Sequence, residues 1–140
     1  MNKKLDSVLL IDDDEANNFL NAMVLEEMSV AKKIHVRLNG QEGIDFLNQC
    51  IAGHEPLPNL IFLDINMPLV NGWEFLERLE EIDTKQKLPI VIVLLTTSLN
   101  PDDQEQAKAL ERISAFLNKP LSVETLKEIF AQFFDIELAV

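Results

Sequence analysis

The sequence predicts an α/β fold, an open parallel sheet with helices on both faces. Short apolar runs alternate with helical patterns in the order βαβαβαβαβα, and that alternation implies right-handed crossovers between parallel strands. The first, third and fourth runs are apolar almost throughout. Strands covered on both faces look like this, although a short apolar run alone does not exclude a buried helix.

The elements follow in order. "SVLLI" (7–11) reads as the first strand. Segment 15–28 reads as a helix with Ala16, Phe19, Leu20, Met23 and Val24 at helical spacing and Asp14 as its N-cap. "KIHVRL" (33–38) is the second strand, and segment 40–51 the second helix, carrying Ile44, Phe46, Leu47 and Ile51. "LIFLDI" (60–65) precedes a helix over 72–83 with Trp73, Leu76, Leu79 and Ile82. "PIVIVLLT" (89–96) precedes segment 102–112, whose thin apolar face is Ala107 and Leu110. That helix is expected to be the least firmly docked of the five. "AFLN" (115–118) is the last strand, and segment 122–136, with Val123, Leu126, Phe130 and Phe133 and the N-cap Ser122, is the last helix.

At 140 residues the chain fits one domain over 1–140 with a sizeable core, and no linker, repeat or room for an output domain is expected. Hydrophobic residues make up 47% and charged residues 26%, as in ordinary globular proteins. The net charge of -12 disfavours nucleic acid as a partner and suits cations or basic partners. Cys50 has no second cysteine to pair with, and the N-terminus has no signal-peptide pattern. No run approaches the roughly 20 apolar residues of a membrane span. A cytoplasmic location is expected.

In an open α/β sheet, ligands bind outside the carboxyl ends of the strands. There the first strand delivers Asp12, Asp13 and Asp14, the third Asp64, the fourth Thr96 and Thr97, and the fifth Lys119. Each has a bland reading of its own: a solvated acidic loop, a carboxylate bonded to loop backbone, strand-end threonines, a turn lysine before Pro120. The coincidence at one edge is the signal. Converging carboxylates raise one another's pKa or recruit a cation, and Mg²⁺ takes one or two carboxylates together with phosphate oxygens. No Gly-rich phosphate loop is present, so a nucleotide is not the obvious ligand.

Four segments, "VLLIDDD", "LIFLDINMPLVNGWEFL", "VLLTTSLNPDD" and "FLNKPL", resemble the signature segments of the bacterial response-regulator receiver domain, of the stand-alone, chemotaxis-regulator-like kind. The resemblance spans about 7–135. It implies a flavodoxin-like doubly wound sheet of five strands, order 2-1-3-4-5. It implies phosphorylation of Asp64 by a phosphohistidine on a sensor histidine kinase or phosphotransfer protein, and a signal passed to a downstream protein. Asp12, Asp13, Asp64 and the backbone carbonyl of Asn66 would hold Mg²⁺. Thr96 would sense the phosphoryl oxygen, Lys119 would pair with it, and Phe116 would be the switch aromatic. The resemblance also marks departures. The run from Pro89 to Thr96 is longer than usual, Thr97 stands where the family often has Ala, Gly or Ser, and Phe116 lacks a tyrosine's hydroxyl.

Two other classes fit less well. A Mg²⁺-dependent phosphatase or phosphotransferase using an aspartyl-phosphate would usually carry a second acid two positions after the nucleophile, where this chain has Asn66. A binding module that works without phosphorylation would be expected to lack an active-site residue. The chain is therefore not expected to be an enzyme beyond turning over its own phosphoryl group.

Overall fold

The computed structural model describes residues 4–65, 67, 70–86, 88–96, 101–110, 113–119 and 121–138. Five strands and five helices alternate: β1 (Leu5–Ile11), α1 (Glu15–Glu27), β2 (Ala31–Arg37), α2 (Gly40–Ile51), β3 (Leu60–Leu63), α3 (Gly72–Gln86), β4 (Val91–Thr96), α4 (Pro101–Ala109), β5 (Ala115–Asn118) and α5 (Val123–Phe134). All pairings are parallel, in the order β2-β1-β3-β4-β5. The doubly wound flavodoxin-like fold is the one expected.

Alternate residues of the central strands feed two cores. Leu9, Ile11, Ile61, Leu63, Ile92 and Leu94 pack with Phe46, Leu47, Phe75 and Leu79 of α2 and α3. Val8, Leu10, Leu60, Phe62, Val93 and Leu95 pack on the opposite face with Leu25 of α1 and Leu126, Ile129 and Phe130 of α5. This explains the unbroken apolar runs, since a central strand buried on both faces has no solvent side to alternate with. Helix α4 buries only Ala107, in keeping with its thin apolar face. The long fourth run resolves into a strand from Val91, with Pro89 outside it.

Helix α1 departs from its expected orientation. Its buried residues are Asn18, Asn21 and Leu25, whereas Phe19, Leu20 and Met23 are 66%, 54% and 40% exposed. Apolar periodicity does not set the rotation here. Asp14 caps the helix by accepting from the Ala16 and Asn17 amides, and Asn18 is tied to the backbone of Asp12. A short loop with both anchors sets the helix so that Asn18, Asn21 and Leu25 face the sheet, with Ala22, Val24 and Met28 packed beside them and Phe19, Leu20 and Met23 turned outward.

Strand β2 carries a titratable side chain with a predictable signature. His35 lies 4.6 Å, centroid to centroid, from Phe46, and the Arg37 guanidinium sits 4.6 Å from the same ring. Burial lowers the His35 pKa below the usual 6.5; Glu55 opposes this, while Arg37 and Lys33 reinforce it. The unfolded chain therefore binds this proton more readily than the native one. The stability supplied by neutral His35 is complete above about pH 6.5 and is lost as pH falls below it. Replacing His35 with glutamine should flatten that acid-side decline in urea titrations. An unaltered slope would show that another group causes it.

Candidate functional site

The order of the sheet reverses between β1 and β3, the place where a doubly wound fold opens a crevice at its strand ends. Ile11 pairs with Leu63, and the next residue on each strand is an aspartate. Asp12 and Asp64 are 5% and 7% exposed, and Asp13 is exposed above them. One carboxylate oxygen from each of Asp12, Asp13 and Asp64 lies within 4.8 Å of the other two.

Lys119 reaches this cluster from the end of β5. Its ammonium lies 2.5 Å from Asp12 Oδ2 and 3.7 Å from Asp64 Oδ2. Its backbone amide donates to the Thr96 carbonyl at 2.9 Å, which couples the ends of β4 and β5. Thr96 is fully buried at the end of β4. Phe116 is half-buried against the core beneath α2 and α3. Asn66 and Thr97 lie outside the described residues.

The charges are not balanced. Burial pushes the Asp64 carboxyl up to about 6, the charge of Asp12 adds to this, and Lys119 and the Ile65 amide offset it only in part. The Ile65 amide donates to Asp64 Oδ1 at 2.9 Å, and the Asp14 amide donates to Asp12 Oδ1 at 2.9 Å. Three crowded carboxylates with one ammonium suit a small hard cation, which prefers oxygen donors.

Two residues outside the sequence reading complete the site. Gly72 opens α3 where a Cβ would stand 2.5 Å from the Asp64 carbonyl oxygen and 2.8 Å from the Ile65 Cα, so only glycine lets the helix come this close. Asn18 donates from Nδ2 to the Asp12 carbonyl at 2.8 Å. The signal for it lay in asparagines at positions 18 and 21 of a helix, where that residue is a poor former.

The family model for the response regulator receiver domain matches residues 8–131. The chain belongs to that family. Receiver domains of this kind are phosphorylated on aspartate in two-component signalling, and they bind Mg²⁺ at an acidic pocket. Response regulator Rcp1 of Synechocystis is 31% identical to this receiver domain over 133 residues, 93% of the chain and 85% of Rcp1. A two-component response regulator from Cytophaga hutchinsonii superposes with a TM-score of 0.86 at 34% identity, covering 95% of this chain and 99% of that one. The Mn²⁺-bound form of Rcp1 superposes with a TM-score of 0.73 at 29% identity, over 96% and 99%. The phosphorylated cyanobacterial phytochrome response regulator RcpA does so at 0.74 and 26%, over 96% and 99%. Among the described residues of the receiver domain, no helix is long and apolar enough to cross a membrane.

Proposed function

We propose that this receiver domain accepts a phosphoryl group on Asp64 from a phosphohistidine of a sensor histidine kinase or phosphotransfer protein, and signals through a downstream protein. The observation that carries this reading is the cluster of Asp12, Asp13 and Asp64 with the Lys119 ammonium between two of them. An Asp64 carboxylate oxygen attacks the phosphorus, the P–N bond breaks, and the imidazole leaves with the bonding electron pair. The transfer is loose and in line, so positioning and charge neutralisation supply most of the catalysis.

Asp12, Asp13, Asp64 and the carbonyl of Asn66 are the groups that would hold Mg²⁺, and the pocket's uncompensated negative charge supports that fit. Bound there, the ion would supply positive charge to the phosphoryl oxygens. Lys119 supplies a second positive charge as a mobile point donor. Thr96 is the proposed sensor of the phosphoryl oxygen, and Phe116 the packing switch. The Mn²⁺-bound Rcp1 and phosphorylated RcpA lend support by likeness. The exposed Phe19, with Glu15, Ala22, Val36 and Leu38, lines a groove beside Asn18, next to the pocket. Large exposed apolar side chains beside a reactive group suit a protein donor better than a small metabolite.

Acetyl phosphate with Mg²⁺ should add one phosphoryl group to the wild-type chain by intact mass, and none once EDTA is present. No gain at all would leave the phosphorylation-independent binding module as the better reading, and a gain that survives EDTA would remove Mg²⁺ from the transfer.

A further inference from the structure

We propose that Asn18 is a positioning residue that sets the angle between the Asp12 and Asp13 carboxylates. The inference rests on the reading of the three aspartates as a cation site. Asn18 is 3% exposed on the inward face of α1. Burying an amide there carries a desolvation cost that a leucine would not. Its Nδ2 donates to the Asp12 carbonyl at 2.8 Å, while the Asp12 amide donates to the Arg37 carbonyl at 3.1 Å. Both backbone groups of Asp12 are therefore held, one from β2 and one from α1.

The Asp12 carbonyl belongs to the planar peptide that also carries the Asp13 amide. Pinning its oxygen fixes the direction in which the chain leaves toward Asp13, and with it where the exposed Asp13 carboxylate stands relative to the buried Asp12 and Asp64. The other end of the Asn18 amide has no such duty. Its Oδ1 is buried with no partner among the described residues. Asn18 also lines a space of about 10 Å³ together with Asn21, Phe62 and Leu95, about the size of one water. The amide's structural bonding is therefore concentrated in its Nδ2 contact with Asp12. Asn21, 6% exposed in the same pocket, makes no hydrogen bond to Asp12 among the described residues, which makes it the matched control.

The experiment compares Asn18→Ser with Asn21→Ser, two equal truncations of which only the first cuts the tie to Asp12. Asn18→Leu is added as a variant that keeps the volume. In metal-free protein, amide exchange at Asp13 and Asp14 should rise severalfold in both Asn18 variants and stay within twofold of wild type in Asn21→Ser. Mg²⁺ affinity by calorimetry should fall about tenfold in the Asn18 variants, the effect usual for a group that orients metal ligands. Exchange at Asp13 and Asp14 that is unchanged in the Asn18 variants, or raised equally in Asn21→Ser, overturns the proposal. A wild-type chain that binds no Mg²⁺ would sink the cation-site reading instead, and the metal-free exchange comparison would still decide the role of Asn18.

Discussion

Asp64→Asn should abolish phosphorylation and, in metal-free protein at about pH 8, should be more stable than wild type by about 2 kcal/mol. The gain comes from the charge the wild-type site has to keep. The Asp64 carboxyl titrates at about 6 instead of the usual 3.8 because it is buried and faces Asp12. A native pKa above the unfolded one means that the native state binds the extra proton between those values. The stability from protonated Asp64 is then fully present below about pH 3.8 and is lost as pH rises through about 6. An amide at position 64 removes the repulsion without removing the Ile65 contact to Oδ1. The stability gap between variant and wild type in EDTA should thus narrow toward zero near pH 4. A gap independent of pH would mean that repulsion at Asp64 is not its source.

Lys119→Ala should act in the opposite sense on the fold and the same sense on signalling. The lysine side chain is 8% exposed and pairs with Asp12 at 2.5 Å. Removing one partner of a buried ion pair costs about 3–5 kcal/mol, here by leaving three carboxylates without an ammonium. In EDTA the variant should melt well below wild type. A divalent cation then meets a site with no tethered competitor, so Mg²⁺ should bind more tightly and recover much of the lost stability. Thermal melts with and without Mg²⁺ would separate the two effects. Equal Mg²⁺-induced shifts in variant and wild type would show that the lysine and the cation do not compete for Asp12.

How much was legible in the chain depended on what fixed each element. Strand β5 and helix α2 fall at the bounds where their patterns put them, α2 because of its clear apolar period after the Asn39 cap and β5 as a short apolar run. The ends of β1, β3 and β5 carried the site residues in plain view, because register alone brings Asp12 beside Asp64. The face of α1 was not legible. Its apolar stripe through Phe19, Leu20 and Met23 is real, but hydrogen bonds at the helix start override it and point the stripe outward. Nor could the pairing of Lys119 be read off, since sequence places it at the same edge as both aspartates and only geometry favours Asp12. The tight fit at Gly72 was hidden for a similar reason, being a property of two backbones meeting.

That meeting has a mechanical consequence. With no side chain between them, the first turn of α3 bears directly on the Asp64 carbonyl and the Ile65 Cα, and α3 is itself braced by Phe75, Leu76 and Leu79 in the core. The Asp64 peptide rests against an abutment. A load applied at its carboxylate meets little compliance behind it and bears instead toward the strand ends, where the Lys119 amide donates to the Thr96 carbonyl. On the α3 side the wall of the pocket is thereby a fixed stop, which only a shift of both backbones together could move.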